Sequence, residues 1–111
     1  IQIQTLDAYC EANSITHINL LKVDVEGHEL AVFKGSQNML GAKRISCIQF
    51  EYGGCNLDAR VYLLDLWDYL TAFGYEMAKI YPNKIRYLSN YEQTFETFRY
   101  SNYVALLKKT S

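Results

Sequence analysis

No block of like charge interrupts this 111-residue sequence, in which 11 basic and 12 acidic residues are dispersed from end to end. That dispersal gives no electrostatic footprint for a nucleic acid or a membrane surface. Long apolar runs are missing too. Lys22, Asp24, Asp65 and Asp68 break the most hydrophobic stretches well short of the roughly 20 residues that span a bilayer. Cys10, Cys47 and Cys55 include no C-x-x-C spacing, which argues against structural zinc and for reduced thiols in a cytoplasmic protein. There are no internal repeats, low-complexity tracts or linkers, and no G-x-G-x-x-G fingerprint. No signal peptide and no initiator methionine are visible, since the chain opens on Ile1 and soon reaches its first buried strand. We therefore expect a piece of a longer protein.

What is present suits a folded domain. Half of the residues are hydrophobic, enough to bury a core, and the length suits one domain or half of a large one. The most informative segment is Leu20-Leu21-Lys22-Val23-Asp24-Val25-Glu26-Gly27-His28-Glu29-Leu30, an apolar strand that breaks into carboxylates and then a helix. Cys47-Ile48-Gln49-Phe50-Glu51-Tyr52-Gly53-Gly54 repeats the design with a glycine pair after its carboxylate. Both place ionisable groups at the carboxyl end of a strand, where open α/β sheets carry their ligands.

The remaining elements follow from periodicity and caps. Residues 1–4 alternate like a short strand, and Thr5 offers an N-cap for a helix over 6–12 that Asn13 ends. Residues 18–25 read as a strand covered on both faces. A helix over 29–40 follows, interrupted by Gly35, which costs a helix about 1 kcal/mol relative to alanine. Residues 45–52 form the second buried strand. Asp58 is placed to cap a helix over 59–73, on which Leu63, Leu66, Trp67, Leu70 and Phe73 recur at helical spacing and which Gly74 stops. Residues 75–81 and 84–88 alternate as strands around the Pro82-Asn83 turn. Residues 90–99 read as a loop with a helical turn, and 100–107 as a closing strand. The order is β-α-β-α-β-β-loop-β, parallel at first and mixed at the end.

Asp24 and Glu51 occupy equivalent positions on strands one helix apart. A right-handed crossover makes such strands neighbours, with backbones about 4.8 Å apart. A carboxylate pair there can hold a divalent cation, share a proton, or accept hydrogen bonds from a polyhydroxylated substrate. The plainer alternative is that one carboxylate caps a helix and the other binds a loop amide. Glu26 and Glu29 fall where a helix dipole favours negative charge, and first-turn stabilisation is the simpler reading of Glu29. His28 lies beside the same edge and, as an imidazole, is a candidate general base, whereas His17 lies at the strand's opposite end. Gly53 and Gly54 remove side chains where a backbone could approach a ligand. The late tyrosines and phenylalanines are explained mostly as core, with stacking on sugars the alternative.

Taken together, Thr5-Leu6-Asp7, the Lys22-Val23-Asp24-Val25-Glu26-Gly27-His28-Glu29 core, Lys34-Gly35, Ile48 to Gly54 and Tyr100-Ser101-Asn102-Tyr103 resemble the carboxyl-terminal half of the FkbM-type family of S-adenosylmethionine-dependent methyltransferases. The resemblance covers nearly the whole chain. It implies an α/β fold, the carboxyl-terminal half of a Rossmann-like class I methyltransferase sheet, with parallel strands followed by a terminal antiparallel hairpin. Residues 1–111 would form a partial domain whose strands stand in the family order four, five, seven, six, without the cofactor-binding amino-terminal half. The resemblance further implies O-methylation of a hydroxyl on a sugar, glycan or natural product, with S-adenosylmethionine as cofactor and a divalent metal left open. Asp24 and Glu51 would face the substrate, with Glu26 and His28 as further candidates. The alternative is a non-catalytic carbohydrate-binding or assembly fragment. An apolar strand stripped of its neighbour would also expose an edge through which the chain could self-associate.

Overall fold

The computed structural model describes residues 4–109. The strand expected over 1–4 therefore lies, for residues 1–3, outside the described residues. Helix α1 spans Leu6–Ala12, and the Thr5 hydroxyl accepts from the Ala8 N–H at 3.1 Å as its cap. Asp7, one turn in, reaches across to a second helix. Its two carboxylate oxygens accept from the Asn38 N–H at 2.8 Å and the Met39 N–H at 3.0 Å. The Thr5-Leu6-Asp7 segment thus caps two helices at once, its own and α3 (Gln37–Gly41).

Strand β1 spans Ile18–Val23, two residues shorter than expected, because Asp24 and Val25 already belong to the turn that leads into α2 (Glu29–Lys34). Gly35 separates α2 from α3, as its helix cost predicts. Strand β2 is Ile45–Tyr52.

The single helix expected over 59–73 is instead two. α4 covers Gly54–Ala59, and Arg60 ends it at φ +58°. α5 then runs from Leu63 to Thr71. Asp58 consequently sits inside α4 rather than capping, and Asp65 does that work, accepting from the Tyr62 N–H at 2.7 Å. Cys55 lies in α4. β3 (Tyr75–Tyr81) and β4 (Lys84–Leu88) form a hairpin, and a 3-10 turn at Gln93–Phe95 precedes β5 (Ser101–Leu107).

The strands stand in the order β1-β2-β5-β3-β4, with β1 and β2 parallel and every other pair antiparallel. This is the mixed sheet expected. The closing strand β5 inserts between β2 and β3, and β4 extends the outer side through its hairpin.

The register assigns each side chain to a face. Val23, Ile48, Phe50, Tyr52, Tyr103, Ala105 and Met77 share one face and join Phe33, Leu40, Leu63, Leu66, Trp67 and Leu70 of the helices in a single core. Phe50 lies at its centre, edge-on to Phe33 at 5.6 Å and stacked on Tyr103 at 5.9 Å between ring centroids. The opposite face carries Leu20, Cys47, Gln49, Val104, Leu106, Ala78, Ile80, Ile85 and Tyr87, none of which belongs to that core. Leu20 is 57% exposed there, so β1 is not covered on both faces as its composition suggested.

A carboxylate that sequence reading did not single out fastens the long connection before β5. Glu96 accepts from the Leu63 and Leu64 N–H groups at 2.9 and 2.8 Å, neutralising the open end of α5, and from the hydroxyls of Tyr52 and Tyr91 at 3.0 and 2.5 Å. The Tyr52 hydroxyl in turn accepts from the Phe98 N–H at 3.0 Å. That chain of bonds holds residues 91–98 against α5 and delivers Tyr100 to the end of β2.

Candidate functional site

The parallel pair β1 and β2 both end at the same edge of the sheet, and β5 begins there. Val23, the last residue of β1, pairs with Phe50, and β2 continues through Glu51 to Tyr52 while the chain turns away at Asp24. Beyond them the chain turns twice, once into α2 and once into α4, and the two turns touch. Glu26 and Gly27 both have positive φ, +48° and +96°. A Cβ on Gly27 would stand 2.6 Å from the carbonyl oxygen of Cys55. Only glycine meets both demands, the left-handed backbone and the close approach to α4. Glu26, a non-glycine residue in the left-handed region, stores local strain of a kind that concentrates at functional sites.

The two turns and the start of β5 enclose a cavity of about 250 Å³. Beside Tyr52 and Cys55, its lining includes the polar side chains of Glu26, Glu29, Glu51, Asn56 and Tyr100, with no lysine, arginine or histidine. The Tyr100 hydroxyl donates to Glu51 Oε1 at 2.9 Å, and Asn102 Nδ2 approaches the same hydroxyl at 3.5 Å. Glu51 is half-buried, so a second carboxylate oxygen remains for a ligand. Glu29 is buried, with its Oε2 accepting from the Gly27 N–H at 3.1 Å, and Asn56 is buried, with its Oδ1 accepting from the Gly53 N–H at 2.9 Å. Each of these two side chains braces one of the two turns.

Of the residues expected at the site, the structure brings Glu51 and Glu26 into one cavity. Asp24 follows the last residue of β1, is exposed, and lies outside the lining. His28 lies on the other side of its turn, beside Leu30, Ala31 and Val32. Glu29, read as a helix stabiliser, belongs to the cavity wall. Asn56 carries no role in the sequence reading, and Tyr100, grouped there with the late aromatic residues as core or as a surface for sugars, is exposed and instead holds Glu51. Tyr100 stands 49 residues from its partner Glu51, a pairing with no local signal.

Among the residues that line the cavity, Tyr52 departs from ordinary ionisation. Burial pushes the Tyr52 phenol up to about 12, reinforced by its bond to the Glu96 carboxylate and opposed by the Phe98 N–H. Burial likewise raises the Cys47 and Cys10 thiols, so neither is primed as a nucleophile. Among the described residues no three His, Cys, Asp or Glu side chains converge into a metal-binding group. No helix among them is long and apolar enough to cross a membrane.

The arrangement can accept hydrogen bonds and a proton from a neutral, hydroxylated guest, and it repels anions. No cationic side chain lines it to meet the carboxylate of S-adenosylmethionine, so the cavity is not built for that end of the cofactor.

The family model described as the methyltransferase FkbM domain matches residues 1–77. No curated protein and no solved structure matches the chain. The family implies S-adenosylmethionine as methyl donor, and with more than two thirds of its length matched, the chain belongs to the FkbM methyltransferase family.

Proposed function

We propose that the protein methylates a hydroxyl of a sugar, glycan or natural product, and that this chain supplies the acceptor side of the site within a longer methyltransferase. The observation that carries the reading is Glu51, fixed by the Tyr100 hydroxyl at 2.9 Å in a cavity lined by carboxylates and free of cationic side chains. Such a lining disfavours a phosphate or carboxylate guest and favours hydroxyl donors. An oxygen that becomes methylated must lose its proton, and a carboxylate held within hydrogen-bond reach is suited to take it. Glu51 is assigned that role. Tyr100 orients it, Glu26 adds negative potential, and Asp24 offers a second carboxylate one strand away. His28 is the weaker candidate, since it faces the other side of the turn.

The test is turnover of the full-length enzyme on its acceptor. Glu51→Gln should reduce it by roughly 10²–10⁴-fold, the usual range for a positioned general base, with folding intact. Tyr100→Phe should have a smaller effect in the same direction. Asp24→Asn that retains full turnover would remove Asp24 from the site, and wild-type turnover in Glu51→Gln would remove the proposal itself. The 111-residue chain alone should show no tight binding of S-adenosylmethionine by calorimetry. Failure of the full-length protein to methylate any hydroxyl would leave the alternative, a carbohydrate-binding or assembly element built on the same carboxylates.

A further inference from the structure

The cavity beside Glu51 has a wall whose hydrogen bonding is incomplete. Glu29 is 1% exposed and Asn56 2% exposed, and each keeps one buried polar atom without a partner, Oε1 of Glu29 and Nδ2 of Asn56. Their other polar atoms are committed to the Gly27 and Gly53 N–H groups. Because a backbone N–H must meet an oxygen, the Gly53 bond settles which end of the Asn56 amide is which. What remains is one carboxylate acceptor and one amide donor on two residues that line the same cavity. Buried groups left in this state carry a desolvation cost that a suitable guest removes.

The chemistry of the pair selects the guest. An ammonium group would satisfy Glu29 and oppose the Asn56 donor. A phosphate or carboxylate would satisfy Asn56 and meet the charges of Glu26, Glu29 and Glu51. An ether oxygen only accepts. A hydroxyl both donates and accepts, and so matches the acceptor and the donor alike.

We propose that Glu29 and Asn56 are positioning residues that clasp one hydroxyl of the acceptor, separate from the hydroxyl presented to Glu51. The acceptor is then a polyol that carries a second hydroxyl near the methylated one. This inference rests on the reading of the cavity as an acceptor site. It adds that the site discriminates against acceptors with a single hydroxyl, because these would leave the buried pair unpaired.

The experiment follows the Asn56 side-chain amide by ¹H–¹⁵N spectroscopy of the chain, titrated with methyl α-glucopyranoside, myo-inositol and their fully O-methylated ethers. The free polyols should shift the Asn56 amide signals saturably, and the ethers should not. Glu29→Gln keeps an oxygen for the Gly27 N–H but turns the free acceptor into a donor, so it should weaken the response by about 10–100-fold, as loss of a hydrogen bond to a charged group does. Asn56→Asp keeps the Gly53 bond and removes the donor together with its own amide signal, so it is read on the Gly53 backbone amide, whose response to the polyols should weaken by the same factor. The wild-type titration stands even where a variant fails to fold. The proposal is overturned if no polyol shifts the signals or if the ethers shift them equally. It is also overturned if the amide stays in contact with one long-lived water at polyol saturation, which would make the pair a structural hydration site. Binding is read without methyl transfer, so the two readings fail separately. Polyol contact without turnover removes only the enzymatic reading. Full turnover of a single-hydroxyl acceptor, unaffected by Glu29→Gln, removes only the clasp.

Discussion

The two faces of the sheet are built to different rules. On the helix-covered face every strand contributes to one core, and Ile48, Phe50 and Ala105 are completely buried. On the other face the same strands present Leu20 at 57%, Ile85 at 51% and Tyr87 at 63% exposure, interleaved with Lys22 and Gln49. An antiparallel sheet tolerates one wet face, but a parallel pair such as β1 and β2 is ordinarily covered on both. The apolar residues of β1 are thus written for more cover than residues 4–109 supply. The candidate site lies at the end of this same parallel pair, so its open side and the bare face are one feature of the architecture.

The largest expected effect tests whether the faces differ in energy as they do in burial. Phe50→Ala removes a ring packed against Phe33 and Tyr103, and should cost about 3–5 kcal/mol in urea unfolding. Ile85→Ala on the bare face should stay within about 0.5 kcal/mol. Comparable losses would mean that the bare face is covered in solution, and would redirect attention to what covers it.

The asymmetry also explains what could be read from sequence. Local signals located β2, β3, β4 and α1, because alternation, caps and turn residues are contained within each segment. The helical spacing of Leu63, Leu66, Trp67, Leu70 and Phe73 was real, but periodicity alone does not register the left-handed Arg60 that separates α4 from α5. Strand ends gave Glu51 and Glu26 as candidates for one site. They did not give Asn56, Glu96 or Tyr100, whose roles depend on chain segments far apart in sequence meeting in the fold. Glu29 was visible as a helix-start carboxylate, yet its burial depends on α4 closing over Gly27.

A smaller effect sharpens the comparison through pH. Tyr52, Tyr75 and Tyr103 all belong to the covered core, and burial, the leading cause in each case, pushes their phenols up to about 12. Tyr75 donates to the Ile45 carbonyl at 2.5 Å, a bond that ionisation would break. The folded state prefers the neutral phenol, whose unfolded value is about 10. The stability these groups contribute is therefore complete below about pH 10 and lost as the pH rises through about 12. Phenolate absorbance from these three should rise together with alkaline unfolding. Tyr103→Phe should retain more stability than wild type at the alkaline end. A phenolate signal that develops fully near pH 10 in the folded protein would show that the core admits water.

The smallest effect concerns the outer edge of β1, which pairs with β2 on one side and with no other described strand. Unpaired amides and carbonyls beside an exposed leucine recruit another strand, and exposed Lys22 is a weak guard against it. We propose that the chain self-associates through this edge, and sedimentation velocity should then show a weak, concentration-dependent dimer. Leu20→Lys should shift it towards monomer without lowering unfolding stability by more than about 0.5 kcal/mol, since the side chain is already exposed. Hydrogen exchange separates the possible coverings. A second copy protects the outward amides of Ile18–Val23 in proportion to concentration, whereas cover from within the same chain protects them at any concentration. A monomer at every concentration, with those amides exchanging freely, would break the link between the composition of β1 and a missing neighbour.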